Sequence, residues 1–437
     1  MSKSRQSLGV VAILALLPGC MNPMGGEGAV SRFLGAEPTA TAPKAPGATL
    51  AVTKPSDASP IIHALQTRPS LVQPGTPYAR VADAVIASDA RVAEAELLVA
   101  QLRAEAAQKN WLPRIGPRIS LNSLGEFVAE LVINQVLFDN GRKLAERDLA
   151  KANVEIAAVT LVEDGNRRVH DALSLYLRAE ESRALAQHLD RSLRDMAHFE
   201  WVMQQRVNGG VSDMSDLNVL QQKLASMRAR SAEMREAAAT AMAELNAMSA
   251  RRLDDLSGIG GLGSAASGEA LAVIRARAEL EQTIAEARIA RASHLPGLSA
   301  SASTGGGASL EVTTDSLFGL GTMAEFKAIE ATKESAERRV DEAREIAARG
   351  IEAQSRQLEA YRRQASEAVG LTAKAKQNLD LFQRQFEGGQ RQVIDVVGVY
   401  ETYARAVETE VELRFKAARA ELELARLRGG LAEGARI

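Results

Sequence analysis

From Tyr78 onward, apolar and small side chains recur every three or four positions over long stretches of the chain. This spacing places them along one side of a helix, where they can pack against a second helix. The first such stripe comprises Val81, Val85, Ser88, Val92, Ala95, Val99 and Leu102. The last comprises Tyr400, Ala404, Val407, Val411, Phe415, Ala418, Leu422 and Ala425. The pattern predicts helices that pack side by side along their length.

The predicted helices are longer than a globular domain can use. Positions 142–208 contain no proline and only one glycine, Gly165, which predicts a single helix of about 100 Å at about 1.5 Å per residue. A first helix is predicted from Tyr78 to just before Leu112-Pro113. The other predicted helices lie at about 211–249, 269–293, 322–386 and 392–428. Helices of this length are expected to pack on one another.

Two short segments between the helices alternate apolar and polar residues with a period of two, which is typical of β-strands. The apolar set of the first segment is Ile115, Ile119, Leu121, Phe127, Ala129, Leu131 and Ile133, with a turn at Gly125. The apolar set of the second is Leu298, Ala300, Ala302, Leu310 and Val312, with a turn at 305–307. We predict two β-hairpins. Taken alone, either hairpin is equally typical of an ordinary surface ribbon.

The first hairpin has the two-faced character of a membrane strand pair. Glu126 and Glu130 share the face of its second arm that is opposite to Leu131. A transmembrane barrel has an apolar outer face and a polar interior, and its strands need about ten residues. We therefore predict that Glu126 and Glu130 face water inside a barrel. Pro117 is expected to weaken the first arm, because proline removes a donor from the ladder.

The chain repeats itself once. Leu112-Pro113 matches Leu295-Pro296 at a shift of 183, and Phe138–Gly141 matches Phe318–Gly321 at a shift of 180. Gly209-Gly210 followed by Asp216 matches Gly388-Gly389 followed by Asp395 at a shift of 179. Landmarks in one order at nearly one shift predict two copies of the same unit. Each unit consists of a helix, a hairpin, a long helix, a Gly-Gly turn and a second helix.

The N-terminus has the pattern of a secretory signal. Lys3 and Arg5 precede an apolar run at 8–17, which is too short to span a bilayer as a helix. The segment 17–20, Leu-Pro-Gly-Cys, resembles a bacterial lipobox, and Cys20 would be the lipidated residue. By resemblance to the enteric sorting rule, Met21 after the cysteine indicates the outer membrane. The alternative is a plain signal peptide with an incidental cysteine.

The composition removes several classes of function. Aromatic residues make up only 4% of the 437 residues, so the 46% of hydrophobic residues is mostly alanine, leucine and valine, as suits long close-packed helices. A net charge of -2 gives no support to a nucleic-acid partner. Cys20 is the only cysteine and the five histidines are scattered. We therefore predict no disulfide framework, no metal site and no cofactor, and we expect no enzymatic activity.

Several segments resemble the TolC-like outer-membrane efflux proteins, over roughly residues 78–430. The segment 134–142, Asn-Gln-Val-Leu-Phe-Asp-Asn-Gly-Arg, is similar to their strand-to-helix junction. Residues 112–115 and 295–298 look like their helix-to-strand transitions. Residues 206–217 and 385–396 look like their periplasmic helix-tip turns. The chain departs from the family pattern at Phe318–Gly321, which lacks the aspartate of the first junction.

The resemblance implies a mainly α fold with a small β part, in which two hairpins give four strands per protomer. Three protomers would close a 12-stranded outer-membrane barrel, continued by an α-helical tunnel across the periplasm. Closure agrees with physical reasoning, because open sheet edges are not tolerated in hydrocarbon. The implied partners are two further copies of the chain, a periplasmic adaptor, an inner-membrane pump or ABC transporter, and outer-membrane lipid.

The resemblance also implies roles for particular residues. The strand-to-helix junctions would be formed by Phe138, Asp139, Gly141, Phe318 and Gly321. The periplasmic tip, adaptor contact and gate would involve Gly209, Gly210, Asp216, Gly388, Gly389, Arg391 and Asp395. Arg391 would pair with a neighbouring carboxylate, and Asp395 would form a ring of three at the trimer axis. The simpler alternative is that these turns only reverse the helices.

The favoured function is thus an outer-membrane channel for tripartite efflux or type I secretion. The alternatives are a lipid-anchored periplasmic coiled-coil spacer or adaptor that does not span the membrane and, less favoured, a secreted enzyme. The predicted organisation is a signal peptide at 1–19, a lipidated N-terminus and tether at 20–77, a first repeat at 78–250, a glycine-rich linker at 251–268, a second repeat at 269–430 and a tail at 431–437.

Overall fold

The computed structural model describes residues 59–88, 92–121, 127–263, 268–314 and 319–432. All of them belong to one unit, which spans Asp57–Ile437. The predicted signal peptide and Cys20 lie outside the described residues, as do Glu126 and Phe318. The predicted lipidation and the predicted domain boundaries therefore stay predictions.

The order of elements is the one that the repeat predicts. The first repeat contains α2 (Pro77–Ile86), α3 (Val92–Gln108), β1 (Arg114–Leu121), β2 (Phe127–Phe138), α4 (Arg142–Asn208) and α5 (Met214–Ala247), preceded by a short helix α1 (Pro60–Gln66). The second repeat contains α6 (Leu271–Ser293), β3 (Gly297–Ser303), β4 (Gly307–Thr313), α7 (Thr322–Glu387) and α8 (Val393–Leu427). The predicted mainly α fold with two hairpins is confirmed.

The first helical stretch differs from the prediction. It is divided into α2 and α3, and α2 ends in a turn at Ala87. Val81 and Val85 of the predicted stripe are buried, whereas Val92 and Val99 are exposed. The interruption rotates α3 relative to α2, so α3 buries Ala93 and Leu97 instead. The prediction of one continuous stripe is wrong because a helix break resets the register of the buried side. The stripe of α8 is confirmed, since all its members are at least half-buried.

A second difference lies in the stretch that was predicted to be a tether, residues 20–77. Residues 60–66 form α1 even though the helix begins with a proline. Proline is tolerated at the first helical position because its missing N–H would have no partner there. The hydroxyl of Ser59 accepts hydrogen bonds from the amides of Ile61 and Ile62 and caps the helix. Leu65 is fully buried, so this segment is part of the packed structure.

Three non-helical segments pack around the middle of α4; we call residues 67–76, 250–263 and 428–432 the belt. Their backbones are joined by hydrogen bonds from Leu71 to Gly430 at 2.7 Å and from Gln73 to Gly261 at 2.6 Å. The buried guanidinium of Arg68 donates to the carbonyls of Gly429 and Glu269. The glycine-rich segment between the repeats is therefore a packed part of the structure over its described residues.

The four strands form one antiparallel sheet in the order β1-β2-β3-β4. The two hairpins are joined by the pairing of β2 with β3, in which Ile133 faces Ala302 and Val136 faces Ser299. A bulge in β2 between Val136 and Phe138 brings Phe138 opposite Leu298. Strands β1 and β4 are the edges of the sheet within one copy.

Candidate functional site

The sheet has one continuous apolar face. Alternation along the strands and their register place Ile115, Ile119, Ala129, Leu131, Ile133, Leu298, Ala300, Ala302, Ala308, Leu310 and Val312 on one face, which we call the apolar face. Gln135 also lies on this face, and its side-chain amide donates to the carbonyl of Trp111 at 2.7 Å. Ile119 and Leu310 are each 72% exposed, although they lie on different hairpins. A surface of exposed branched side chains across four strands is unusual for a protein surrounded by water.

The opposite face is polar and carries both signs of charge. This polar face contains Arg114, Arg118, Glu130, Asn134, Ser299, Ser301, Ser309 and Glu311, and β2 adds two apolar residues to it, Val132 and Val136. Glu130 lies directly across from Arg118 in the register, and its carboxylate contacts the turn at Gly305. The structure thus places Glu130 opposite to Leu131. It stays a prediction that Glu130 faces water inside a barrel. Glu126, for which the same was predicted, lies outside the described residues.

The backbone of Pro117 points to the free edge of the sheet. Its partner on β2 is Leu131, whose amide donates to the hydroxyl of Thr304 at 3.1 Å and whose carbonyl accepts from the amide of Thr304 at 3.2 Å. The backbone N–H and C=O of Leu131 therefore point towards β3. In an antiparallel pair, the nitrogen of Pro117 must then point away from β2. The proline therefore removes a donor from the edge of β1, and the β1–β2 ladder loses none.

The first strand-to-helix junction is built by Asp139. Its carboxylate accepts hydrogen bonds from the amides of Gly141 at 3.2 Å and Lys143 at 2.6 Å, and so it satisfies free N–H groups at the start of α4. Asn140 and Gly141 both have a positive φ, which turns the chain sharply out of the sheet. The Asn140 side chain donates to the carbonyl of Pro296 at 2.9 Å, which ties this junction to the second repeat.

The second junction has a different local geometry. The hydroxyl of Thr322 accepts a hydrogen bond from the amide of Gly319 at 3.0 Å. Gly321 has an ordinary φ of -85°, so this position does not require a glycine conformation. Phe318 lies outside the described residues. The hydroxyl at the first position of α7 thus closes the turn before the helix, and no side chain among the described residues caps the start of α7 as Asp139 caps α4.

The two Gly-Gly turns have the same backbone geometry. In each, the first glycine has a negative φ and the second has a positive one, 71° at Gly210 and 74° at Gly389. The amide after each pair bonds back to the helix, Val211 to Arg206 at 2.8 Å and Gln390 to Gln385 at 2.8 Å. This is the Schellman arrangement that satisfies the last carbonyls of a helix. Only Gly210 and Gly389 therefore require glycine.

The charged tip residues have local partners within one copy. Arg391 lies over the ring of Phe382 at 4.5 Å and donates to the Gln385 side chain at 3.1 Å. Asp395 accepts a hydrogen bond from the amide of Gln392 at 3.3 Å at the start of α8. Asp216 occupies the first turn of α5. The pairing of Arg391 with a carboxylate of another copy and a ring of three Asp395 side chains stay predictions.

Helices α4 and α5 form one helical hairpin, and α7 and α8 form the other. The sequence did not predict three polar contacts between these two helical hairpins. Tyr400 of α8 donates to Asp195 of α4 at 2.8 Å, and its burial beside that carboxylate raises the pKa of Tyr400. Two ion pairs join α5 to α8, Lys223–Glu401 at 2.6 Å and Arg230–Glu408 at 3.2 Å. The members of these ion pairs are seven residues apart on each helix. Such matched spacing is meaningful only once the register of two distant helices is known.

Two further observations concern the described residues alone. None of the described helices combines the length and apolar content of a membrane-spanning helix. Within the described ranges, no group of three or more histidine, cysteine, aspartate or glutamate side chains comes together as a metal site would require.

Comparison with known proteins identifies the fold. No protein-family model and no curated protein matches the sequence. A membrane protein from Pseudomonas aeruginosa is 16% identical, with 84% of this chain and 93% of that chain covered and a TM-score of 0.73. The outer-membrane channel OprN is 15% identical over 84% of this chain and 93% of that one, with a TM-score of 0.71. The outer membrane protein VceC from Vibrio cholerae is 16% identical over 81% and 97%, with a TM-score of 0.67.

These structures cover both repeats of the chain. The protein has the fold of the outer-membrane channel proteins, and the resemblance found in the sequence is confirmed at the level of the fold.

Proposed function

We propose that this protein is the outer-membrane channel of a tripartite efflux or type I secretion system. Three copies close a 12-stranded barrel in the outer membrane and extend as a helical tunnel into the periplasm. The observation that carries this proposal is the four-stranded sheet, with its continuous apolar face and its two free edges. The solved channels of the same fold support it.

The free edges make copies of the chain necessary. Each unpaired backbone group costs several kcal/mol in hydrocarbon, so a four-stranded sheet cannot lie open in a membrane. Pairing of β1 with β4 of a neighbouring copy removes both edges at once. Four strands are too few for a barrel, whereas three copies supply the twelve that the resemblance implies. A periplasmic spacer outside the membrane would have no use for an apolar face that crosses both hairpins.

The long helices provide the tunnel. At about 1.5 Å per residue, the 67-residue α4 and the 66-residue α7 each extend about 100 Å from the sheet. Their distant ends carry the two Gly-Gly turns, and we assign to these tips the contact with a periplasmic adaptor. The adaptor joins the channel to an inner-membrane pump. Lipid attached to Cys20 adds an anchor worth about 0.8 kcal/mol per buried CH₂, while the barrel holds the protein without it.

The membrane face is tested with two neighbouring substitutions in β2. Leu131→Arg places a charge on the apolar face, which costs roughly 2–4 kcal/mol at the bilayer midplane. Heat-resistant trimers in the outer-membrane fraction should therefore be reduced. The matched control Glu130→Gln changes the polar face and should assemble normally with altered ion selectivity in planar bilayers. Equal tolerance of both substitutions would show that β2 is not a membrane strand.

The adaptor contact is tested at the tips. Gly389 requires a positive φ, so a bulky residue there would strain the turn as well as block docking. Gln390→Trp at the neighbouring exposed position should prevent export in cells while leaving trimers intact. Ser366→Trp, at an exposed position far along α7, is the control. Normal export by the Gln390→Trp variant would reject the tips as the adaptor contact.

The lipid anchor has its own measurement. Mass spectrometry of the mature protein should find a modified N-terminal Cys20, and Cys20→Ser should slow processing yet leave some trimer in the membrane. An unmodified N-terminus downstream of Cys20 would reject the anchor without affecting the channel.

A further inference from the structure

A buried histidine lies between the two helical hairpins. His188 of α4 is only 4% exposed, and its Nε2 atom has no hydrogen-bond partner among the described residues. Its ring meets the edge of Tyr403 of α8, with centroids 6.4 Å apart and planes at 79°. One turn further along α4, the hydroxyl of Ser192 is also fully buried. The ring therefore occupies an apolar contact between α4 and α8.

The charged groups on the surrounding helices are engaged elsewhere. On α5, Arg235 and Ser231 both bond to Asp190 of α4, at 2.6 and 2.7 Å. Glu408 of α8 is paired with Arg230 of α5. Charged groups of the described residues along this part of the contact are Asp190, Arg191 and Asp195 on α4, Arg230 and Arg235 on α5, Lys376 on α7 and Glu408 on α8, and Asp195 is bonded by Tyr400. Among the described residues, none of the carboxylates forms an ion pair with His188.

The positively charged side chains near His188 would not stabilise a protonated ring. Lys376 of α7 lies over the far ring, Tyr403, at 5.9 Å. Burial lowers the pKa of His188, the nearby Arg191 lowers it further, and the Ala404 backbone opposes them in part. The ring is consequently neutral at neutral pH. A proton added to it would place a charge in the contact between α4 and α8 with no anion beside it.

We propose that His188 makes the contact between the two hairpins sensitive to acid, so that its protonation favours opening of the periplasmic end of the channel. The inference rests on the channel function proposed above. The α4–α8 contact, together with the Tyr400–Asp195 bond nearer the tip, holds one hairpin of the protomer against the other. Separation of the hairpins would let water reach the ring, and a hydrated imidazolium is stable.

The direction of the effect follows from linkage. In the closed state the histidine binds its proton less readily than a hydrated histidine, whose pKa is about 6.5. The stabilisation of the closed state is therefore complete above about pH 6.5 and is lost as the pH falls below that value. Each pH unit between the two pKa values shifts the equilibrium between closed and open channel by up to about tenfold.

The test compares conductance at two pH values. Conductance of the purified full-length channel in planar bilayers should rise between about pH 7.5 and about pH 5.5, the range in which a histidine titrates. His188→Gln cannot titrate and should lose at least half of this rise. The control is His198→Gln, which removes an exposed histidine from the same helix and should keep the full rise. Should the glutamine variant fold poorly, His188→Met offers a second uncharged replacement.

A second measurement separates this inference from the channel function. Thermal melting of the trimer in detergent, followed by helical circular dichroism, should show a smaller loss of midpoint on acidification in His188→Gln than in the wild type. A wild type that conducts at no pH would reject the channel function, and the melting comparison would then decide the role of His188 alone. An acid response that is absent in the wild type, or unchanged in both His188 variants, would overturn the inference.

Discussion

The helices α4 and α7 occupy equivalent places in the two repeats and have nearly the same length, yet their surroundings differ. Of their residues, 23 are buried in α4 and only six in α7. Helix α4 packs against α2, α3, α5, α6 and α8, whereas α7 packs against α6 and α8. The buried residues of α7 follow one narrow stripe, as in a two-stranded coiled coil.

The difference shows where one copy of the chain is incomplete. A second stripe on α7, which contains Ile346, Ala353 and Leu371, is exposed, as are Val92 and Val99 on α3. The part of the predicted stripe that falls on α3 is therefore not covered by the described residues of the protomer. We expect these surfaces to meet in the trimer, so that α7 acquires from neighbouring copies the packing that α4 has within its own.

The largest expected effect comes from a matched pair of leucines. Leu173 of α4 is fully buried, and Leu173→Ala should lower the free energy of unfolding by about 2–5 kcal/mol. Leu371 of α7 is 63% exposed in one copy, so Leu371→Ala should change the unfolding of the dissociated protomer by less than about 0.5 kcal/mol. Urea unfolding of both variants as monomers measures the contrast. Equal losses would mean that α7 is as fully packed within the protomer as α4.

The next effect concerns assembly. Ile346→Arg should place an unpaired charge between copies and weaken the trimer, with the protomer fold intact. Light scattering of the detergent-solubilised protein should show loss of the trimer mass. Ala348→Arg, which changes an exposed residue on another side of α7, should leave the trimer unchanged. A trimer that tolerates Ile346→Arg as well as Ala348→Arg would remove the Ile346 stripe from the interface.

Substitution of the second glycine of each Gly-Gly turn should destabilise both repeats equally, whereas substitutions in α4 and α7 should not. Gly210→Ala and Gly389→Ala each force a side chain into a positive φ, which costs about 1–2 kcal/mol. Gly209→Ala and Gly388→Ala are the controls and should have little effect, because these residues have a negative φ. Thermal midpoints of the four variants test this equivalence, and different losses at Gly210 and Gly389 would argue against it.

The smallest effect is expected at the charged tip. Arg391→Ala combined with Asp395→Ala removes two exposed groups whose partners within the protomer are weak. If these groups also hold neighbouring copies together, conductance of the isolated channel should rise about two- to fivefold, as expected for exposed ion pairs. Unchanged conductance, together with normal export by Gln390→Trp, would leave both turns with a purely structural role.

The sequence predicts most of the architecture because glycine and proline mark the ends of its long helices. Helix α4 begins after Gly141 and ends before Gly209, as predicted, because the residues between these two glycines include no proline and only one glycine, Gly165. The strand faces follow from alternation alone. The break after α2 could not be predicted, because it depends on packing against the belt. The helix at 60–66 does have a local signal, the N-cap Ser59 followed by Pro60, but it lies in a proline-rich stretch that was interpreted as a tether.

The candidate site is less predictable because its contacts join distant parts of the chain. The Asn140–Pro296 and Tyr400–Asp195 hydrogen bonds each connect one repeat to the other. The bond to Thr304 that directs the Pro117 backbone to the free edge likewise depends on β2 pairing with β3. No local pattern specifies such pairs.

Cross-linking of the two sheet edges tests most directly whether the open protomer is closed by its own copies. Ile119→Cys on β1 is combined in turn with cysteine at Ala308, Leu310 or Val312 on β4, positions that share the apolar face. Within one copy these strands are separated by β2 and β3. Oxidation of a correctly registered pair in the outer membrane should give covalent trimers on non-reducing gels after full denaturation. A variant that carries only one of the two introduced cysteines should run there as a monomer. The absence of covalent trimers from all three combinations would contradict a barrel closed by pairing of β1 with β4.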